Sequence, residues 1–397
     1  MDLKSLAASL GIEHYPAGLE KVFPAPDLEN TSICNPDTLR ALQEKYGIFG
    51  DYLDEVLKGA EEVQHTPALL AWLNLASAYC KELETMYEAS KMPMPPLDGS
   101  VGRNIFPALL LADEAPLTAE RYRARGFDEA QIAAAIANVG RNLWAYCLME
   151  GKVGLSQGLY GWLTHYSKAV IFDHKGLNFQ PAVWKDEALV IKNRETGEVV
   201  ILMMNGKFSR NGLLLGSAGE ADEEGAFDAE FSEQIHAFFG HPVKNGRVQP
   251  TLHRFDKREW RAVLRPGDDV INLHIPRNVD FSPAAVSESL GEGFALCERY
   301  YPELTFKAAT CCSWMLDPEI ASILGEGSKI TAFARRFVLH PVNDTVGRAC
   351  MGFVFPGEHC SVEELPERTT LQRGVKKLFL DGGFNQWTTG VMTDTLA

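Results

Sequence analysis

Residues Asp269 to Asp317 read DVINLHIPRNVDFSPAAVSESLGEGFALCERYYPELTFKAATCCSWMLD, and the reading of this stretch decides the fold. Val270, Ile271, Leu273 and Ile275 sit in an alternating, β-branched segment, which predicts a strand with a buried face ending at Pro276. Ser282 stands where an N-cap belongs, Pro283 at the first helical position and Glu288 near the helix start. Val286, Leu290, Phe294, Cys297 and Tyr301 then recur at helical spacing until Pro302 stops the helix. Thr305 to Trp314 predicts a second strand, and Asp317 to Leu324 a short helix with Asp317 as its cap. A strand-helix-strand unit of this length predicts a right-handed crossover, hence parallel strands.

Working outward, Asp37 to about Glu150 shows apolar residues at three- and four-residue intervals. Thr66-Pro67 opens one helix with the stripe Leu69, Leu70, Leu73, Ala76, Tyr79, Cys80 and Leu83, and another is predicted from Asp128 to Met149. After Gly151 the texture changes to short β-prone runs. Ala188 to Lys192 and Val199 to Met204 flank NRETG, a hairpin turn signal. Ala226 to Phe239 reads as helical, Ile330 to Leu339 and Ala349 to Phe355 as strands, and Thr370 to Phe379 as a helix. The expected architecture is α+β in two domains, helical over 1–150 and mixed α/β with a central twisted sheet over 151–397.

Composition narrows the function classes. A net charge of −15 disfavours broad nucleic-acid binding, which relies on a basic face to neutralise phosphates. There is no run of eighteen apolar residues, so no membrane span is expected. The opening residues MDLKSLAASLGIEHYPAG lack the features of a secretory signal, and eight cysteines without paired spacing fit reduced thiols, so a cytoplasmic location is expected. His165, His174, His236 and His241 have no ligand-type spacing, and no metal is expected.

The order of HIPRNVDFSPAAVSES, CCSWMLDP, SKITAF, FVF and TTLQRG resembles bacterial acyltransferase-domain proteins that pair a helical N-acyltransferase N-terminal domain with a GNAT-like C-terminal domain. The likeness spans most of the chain and is strongest from Val270 to Gly390. Where such proteins usually carry GRLQFE, this chain has KGLNFQ, Lys175 to Gln180, without the arginine and the acid. The resemblance implies acyl-coenzyme A as co-substrate, its diphosphate held where the first strand enters the helix, at Arg277, Asn278, Val279, Phe281 and Ser282. It also implies an amine or hydroxyl acceptor on a small molecule or peptide. The Arg/Gln-x-x-Gly-x-Gly/Ala loop typical of GNAT enzymes is replaced here by the glycine-free RNVDFSP.

Candidate chemistry follows from position. His274 ends the first strand beside that loop and can take a proton near neutral pH; a core histidine is the alternative. Cys312, with Cys311, lies on the adjoining strand and could meet His274 as a thiolate nucleophile, or simply pack. Ser313 and Trp314 end that strand where a substrate would sit, while Arg335, Gln372 and Arg373 offer polar contacts or structural ties. Three functions therefore compete: an acyl transferase with His274 as base, a non-catalytic GNAT-like binding protein, and a cysteine hydrolase using Cys312 and His274. The oligomeric state is not legible.

Overall fold

The computed structural model describes residues 2–23, 27–216, 224–277, 279–343 and 347–396. The chain divides into two compact units, Met1–Asp173 and His174–Ala397. The first is helical. Its centre is the Val101–Ala124 helix, buried along most of its length despite Pro107 and Pro116 within it. A Cβ on Gly59 would lie 2.7 Å from the Ile105 side chain, so the Leu53–Gln64 helix approaches the central one as closely as glycine permits. The helix predicted from Asp128 to Met149 is two, Glu129–Ile136 and Asn138–Glu150, parted at Ala137. Gln157–Ser167, in the region read as strands, is a helix capped by Ser156 and followed by the fully buried Lys168–Glu114 ion pair.

In the second unit the strand-helix-strand unit forms as the pattern predicts. Strands Asp269–His274 and Phe306–Ser313 are parallel and joined by the Pro283–Tyr300 helix. Around them the central sheet runs in the order Leu177–Val183, Asp269–His274, Phe306–Ser313, Thr388–Met392, Phe337–Pro341, with every other pairing antiparallel. The joining helix covers the face bearing Phe179 and Leu273. A Cβ at Gly293 would sit 2.1 Å from the Phe179 ring, so only glycine lets the helix down onto the sheet. The opposite face packs at one end against a second, antiparallel sheet in a shared core of Val270, Ala308 and Val391 with Val190, Ile201 and Met203.

The predicted hairpin forms between Ala188–Asn193 and Val199–Met203, where Asn193 accepts from the Glu195 and Thr196 N–H groups and Gly197 takes φ +74°. Three readings are overturned. Ala226 to Phe239 holds the strands Phe227–Asp228 and Ser232–Glu233 and the start of Ala237–Lys244, because sheet partners outweigh its weak helical spacing. Ile330 to Leu339 is a helix, Lys329–Ala334, capped by Ser328, and then the strand Phe337–Pro341; the four-residue spacing of Phe333 and Phe337 belongs to this break. Ala349 to Phe355 contains a single helical turn, Met351–Val354.

Candidate active site

Successive side chains of a strand point to opposite faces, so register decides which residues share one. Opposite Asn272 stand Gln180 on one neighbour and Thr310 on the other; opposite His274 stands Asn178. Cys312 pairs with Thr389, which pairs with His340. Asn178, Gln180, Asn272, His274, Thr310, Cys312, Thr389 and His340 therefore occupy one end of a face whose other end is the apolar core just described. Gln180 and Thr310 are buried, His274 is half-buried and Cys312 is exposed.

The pairing of the two parallel strands ends at Asn272 and Thr310, while the strands themselves run on to His274 and Ser313. Beyond that point their backbones are no longer laddered. At this edge His274 Nε2 lies 2.7 Å from Gln180 Oε1 and 3.4 Å from Asn272 Nδ2, and the Thr310 hydroxyl donates to Asn272 Oδ1 at 3.5 Å. The chain thus joins His274, predicted from sequence, to three neighbours the sequence reading missed: Gln180, Asn272 and Thr310. The signal was present as polar residues two apart, Asn178 and Gln180, Asn272 and His274, Thr310 and Cys312.

The loop after His274 enters the helix without a side-chain cap. Ser282 is the N-cap residue, but its hydroxyl donates to Asp280 Oδ2 at 2.8 Å and its N–H to Asp280 Oδ1 at 2.9 Å, so it does not cap the first-turn N–H groups. Those bonds hold the Asp280 carboxyl below its usual range, and Lys329 lies 3.4 Å away. Arg277 donates to the carbonyls of Gly352, at 2.6 Å, and Phe353, and its guanidinium lies 5.3 Å from the Phe353 ring centre; partial burial lowers its pKa. Phe281 stacks edge-on against Phe333, and Val279 lies near the turn at Gly176. Asn278 lies outside the described residues.

Other predicted residues are placed elsewhere. Cys311 faces away from His274, and burial pushes its thiol far up. Ser313 shares that opposite face, where its hydroxyl accepts from the Met315 N–H at 3.2 Å as a local cap. Trp314 is buried and lies 5.8 Å from Phe353. Arg335 is not on a strand: it ends the Lys329–Ala334 helix and pairs with Glu326. Gln372 accepts from the Arg368 and Thr369 N–H groups and donates to the Val354 carbonyl at 3.0 Å, while Arg373 donates to Glu367 and Thr370. These contacts tie the last helix to its surroundings. Asp317 is the cap the sequence predicted, accepting from the Glu319 N–H at 3.0 Å. It also accepts from Asn385 and from the Gln386 N–H, and burial raises its pKa.

Among the described residues no group of three His, Cys, Asp or Glu side chains could hold a metal, and no helix is long and apolar enough to cross a membrane.

Comparison with known proteins agrees with the two-part fold. Residues 37–168 match the family described as N-acyltransferase N-terminal domain, and residues 227–392 the GNAT-like C-terminal domain. No curated protein sequence matches the chain. Similar solved structures include an acyltransferase in complex with decanoyl-CoA, at 20% identity, TM-score 0.69 and 100% coverage of both chains. Another is an acyltransferase in complex with decanoyl-CoA and teicoplanin, at 18% identity, TM-score 0.68 and 99% coverage of both chains. An acyltransferase mutant with octanoyl-CoA also aligns, at 18% identity, TM-score 0.69 and 100% coverage of both. This chain therefore belongs with the two-domain acyltransferase-type proteins that join an N-acyltransferase N-terminal domain to a GNAT-like C-terminal domain.

Proposed function

We propose that the protein transfers an acyl group from acyl-coenzyme A to an amine or hydroxyl of a small-molecule or peptide acceptor, with His274 as the general base. The observation that carries this reading is the end of pairing between the two parallel strands at Asn272 and Thr310, with His274 and Cys312 beyond it on one polar face. Parted strands offer backbone groups to an extended ligand, and a half-buried imidazole at their edge can accept a proton near neutral pH.

Acyl-coenzyme A supplies a thioester carbon to which the acceptor nitrogen or oxygen bonds as the carbon–sulfur bond breaks, the coenzyme leaving as its thiol. The chain's part is to hold and to move a proton. His274 takes the proton the acceptor loses and returns it to the departing thiolate, so that the coenzyme leaves as its thiol; general base catalysis of this kind is worth about 10²- to 10⁴-fold. The uncapped start of the Pro283–Tyr300 helix turns first-turn N–H groups and the positive end of the helix dipole toward the loop, where Arg277 and Ser282 would hold the diphosphate. Asp280 lies at the same place and opposes the anion, so the Lys329–Asp280 pair favours binding by drawing that carboxylate's charge aside.

Proteins of the same fold crystallised with decanoyl- and octanoyl-CoA, and one of them also with teicoplanin, make medium-chain thioesters, with teicoplanin as a trial acceptor, the first probes. Isothermal calorimetry with acetyl-, octanoyl- and decanoyl-CoA is expected to show saturable binding. No heat from any of the three at millimolar ligand overturns the proposal.

A further inference from the structure

The strands Asp269–His274 and Phe306–Ser313 part beyond Asn272 and Thr310, and a chain of side chains joins their ends again. Arg277 follows the first strand after Ile275 and Pro276, and Trp314 follows the second directly. Phe353 reaches both. Its ring centre lies 5.3 Å from the Arg277 guanidinium and 5.8 Å from the centre of the Trp314 ring. Arg277 is also clasped to the backbone of the Phe353 turn, donating from Nη2 to the Gly352 carbonyl at 2.6 Å and from Nη1 to the Phe353 carbonyl at 3.4 Å. Arg277, Phe353 and Trp314 thus form a bar from one strand end to the other.

The bar has an anchored side and a loose side. Trp314 is buried in one core with Cys350, Val354 and Phe355, which hold the Met351–Val354 turn, and Gln372 donates to the Val354 carbonyl at 3.0 Å. Phe353 projects from that turn 43% exposed, with Gly352 exposed beside it. What binds Arg277 there is two bonds to neutral carbonyls and one cation–π contact. A diphosphate offers the same guanidinium charged oxygens in the paired geometry that its planar fork binds best, and so outcompetes the carbonyls.

Building on the reading of Arg277 as a diphosphate ligand, we infer that Arg277 and Phe353 form a selectivity gate across the mouth of the parted strands. A thioester carrying the coenzyme A diphosphate draws Arg277 off the Gly352 and Phe353 carbonyls and is admitted; a thioester without a diphosphate waits for the bar to open by itself. The moving parts are two side chains, and the turn beneath them stays in its core. Association of a ligand that cannot open the bar scales with the fraction of molecules already open.

The experiment is stopped-flow association of octanoyl-CoA and of octanoyl-pantetheine with the full-length protein, followed by tryptophan fluorescence. The native protein is expected to associate faster with octanoyl-CoA. Phe353→Ala is expected to raise the association rate constant of octanoyl-pantetheine by about two- to fivefold, the factor that one exposed cation–π contact sets, with dissociation unchanged. Phe353→Leu, which keeps apolar bulk on the turn, is expected to fall between. Association indifferent to both substitutions overturns the inference. So does an effect of Phe353→Ala confined to faster dissociation, because Phe353 would then touch the ligand and not gate it. These rates need no turnover. Gating in a protein that transfers no acyl group overturns the function proposed above and leaves the gate standing, and turnover with association indifferent to residue 353 does the reverse. Binding of neither thioester by the native protein or either variant overturns both.

Discussion

Each unit of this protein holds a buried polar cluster, and the two are built on opposite principles. In the helical unit Lys168 and Glu114 form an ion pair whose side chains are 0% and 1% exposed; Lys168 also donates to the Cys80 carbonyl at 2.8 Å, and Arg121 donates to Glu114 and to Ser167. In the GNAT-like unit the cluster of Gln180, Asn272, His274 and Thr310 contains three residues that carry no charge and one imidazole, and it lies at the open end of a sheet face. Two full charges withdrawn from water hold each other in place because neither can be left alone. The neutral network brings no formal charge of its own to the half-buried imidazole. The first arrangement suits a fixed core, the second a site of chemistry.

The sharpest way to break that contrast is Lys168→Ala. Removing Lys168 leaves the buried Glu114 with only its longer contact to Arg121, and losses of up to about 3–5 kcal/mol are expected, read as a lower urea midpoint of the helical circular dichroism signal. A loss under about 1 kcal/mol would mean that water reaches Glu114, and the two clusters would then differ in degree only. His274→Ala is expected to do the reverse. The rate should fall about 10²- to 10⁴-fold in single-turnover acyl transfer, while stability falls by only about 1 kcal/mol, the cost of leaving the Gln180 amide without its partner. Wild-type turnover in that variant would remove His274 from the chemistry and leave the polar face as packing.

The fold was legible wherever local pattern and tertiary partner agree. The strand, proline-led helix and strand of Asp269 to Asp317, the hairpin at Asn193 to Gly197 and the Asp317 cap each rest on residues a few positions apart, and each forms. Ala226 to Phe239 and Ile330 to Leu339 misled because their apolar spacing serves both periods until sheet partners are known. The candidate site was half legible. His274 could be named from its strand end, but Gln180 could not be joined to it, because a pair 94 residues apart is fixed by register between strands and not by spacing within either. Arg335, Gln372 and Arg373 stayed open between substrate contact and structural tie because an exposed charge or amide in sequence carries no record of the carbonyl or carboxylate it will meet.

A third polar cluster extends the comparison to the surface and carries the smallest effect. Glu233 accepts two bonds from Arg265, at 2.8 and 3.1 Å, and one from Lys257 at 2.7 Å, tying the Ser232–Glu233 strand to the turn after Trp260–Leu264. These bonds, the Arg265 bond foremost, lower its pKa from 4.5 to about 2. A depressed carboxylate stabilises the fold above its unfolded pKa and loses that contribution as pH falls through the folded value, so the window runs downward from about 4.5 to about 2. All three side chains are partly solvated, at 32%, 45% and 28% exposure, so screening holds the effect of Glu233→Gln to about 1 kcal/mol or less at pH 7. Thermal melts of the two proteins should therefore differ slightly at neutral pH, converge as pH drops below 4.5, and draw together at neutral pH in molar salt. A gap that survives both acid and salt would show that the Glu233 bonds act through shape rather than charge, and would place this cluster with the neutral network at His274 instead of with the ion pair at Lys168.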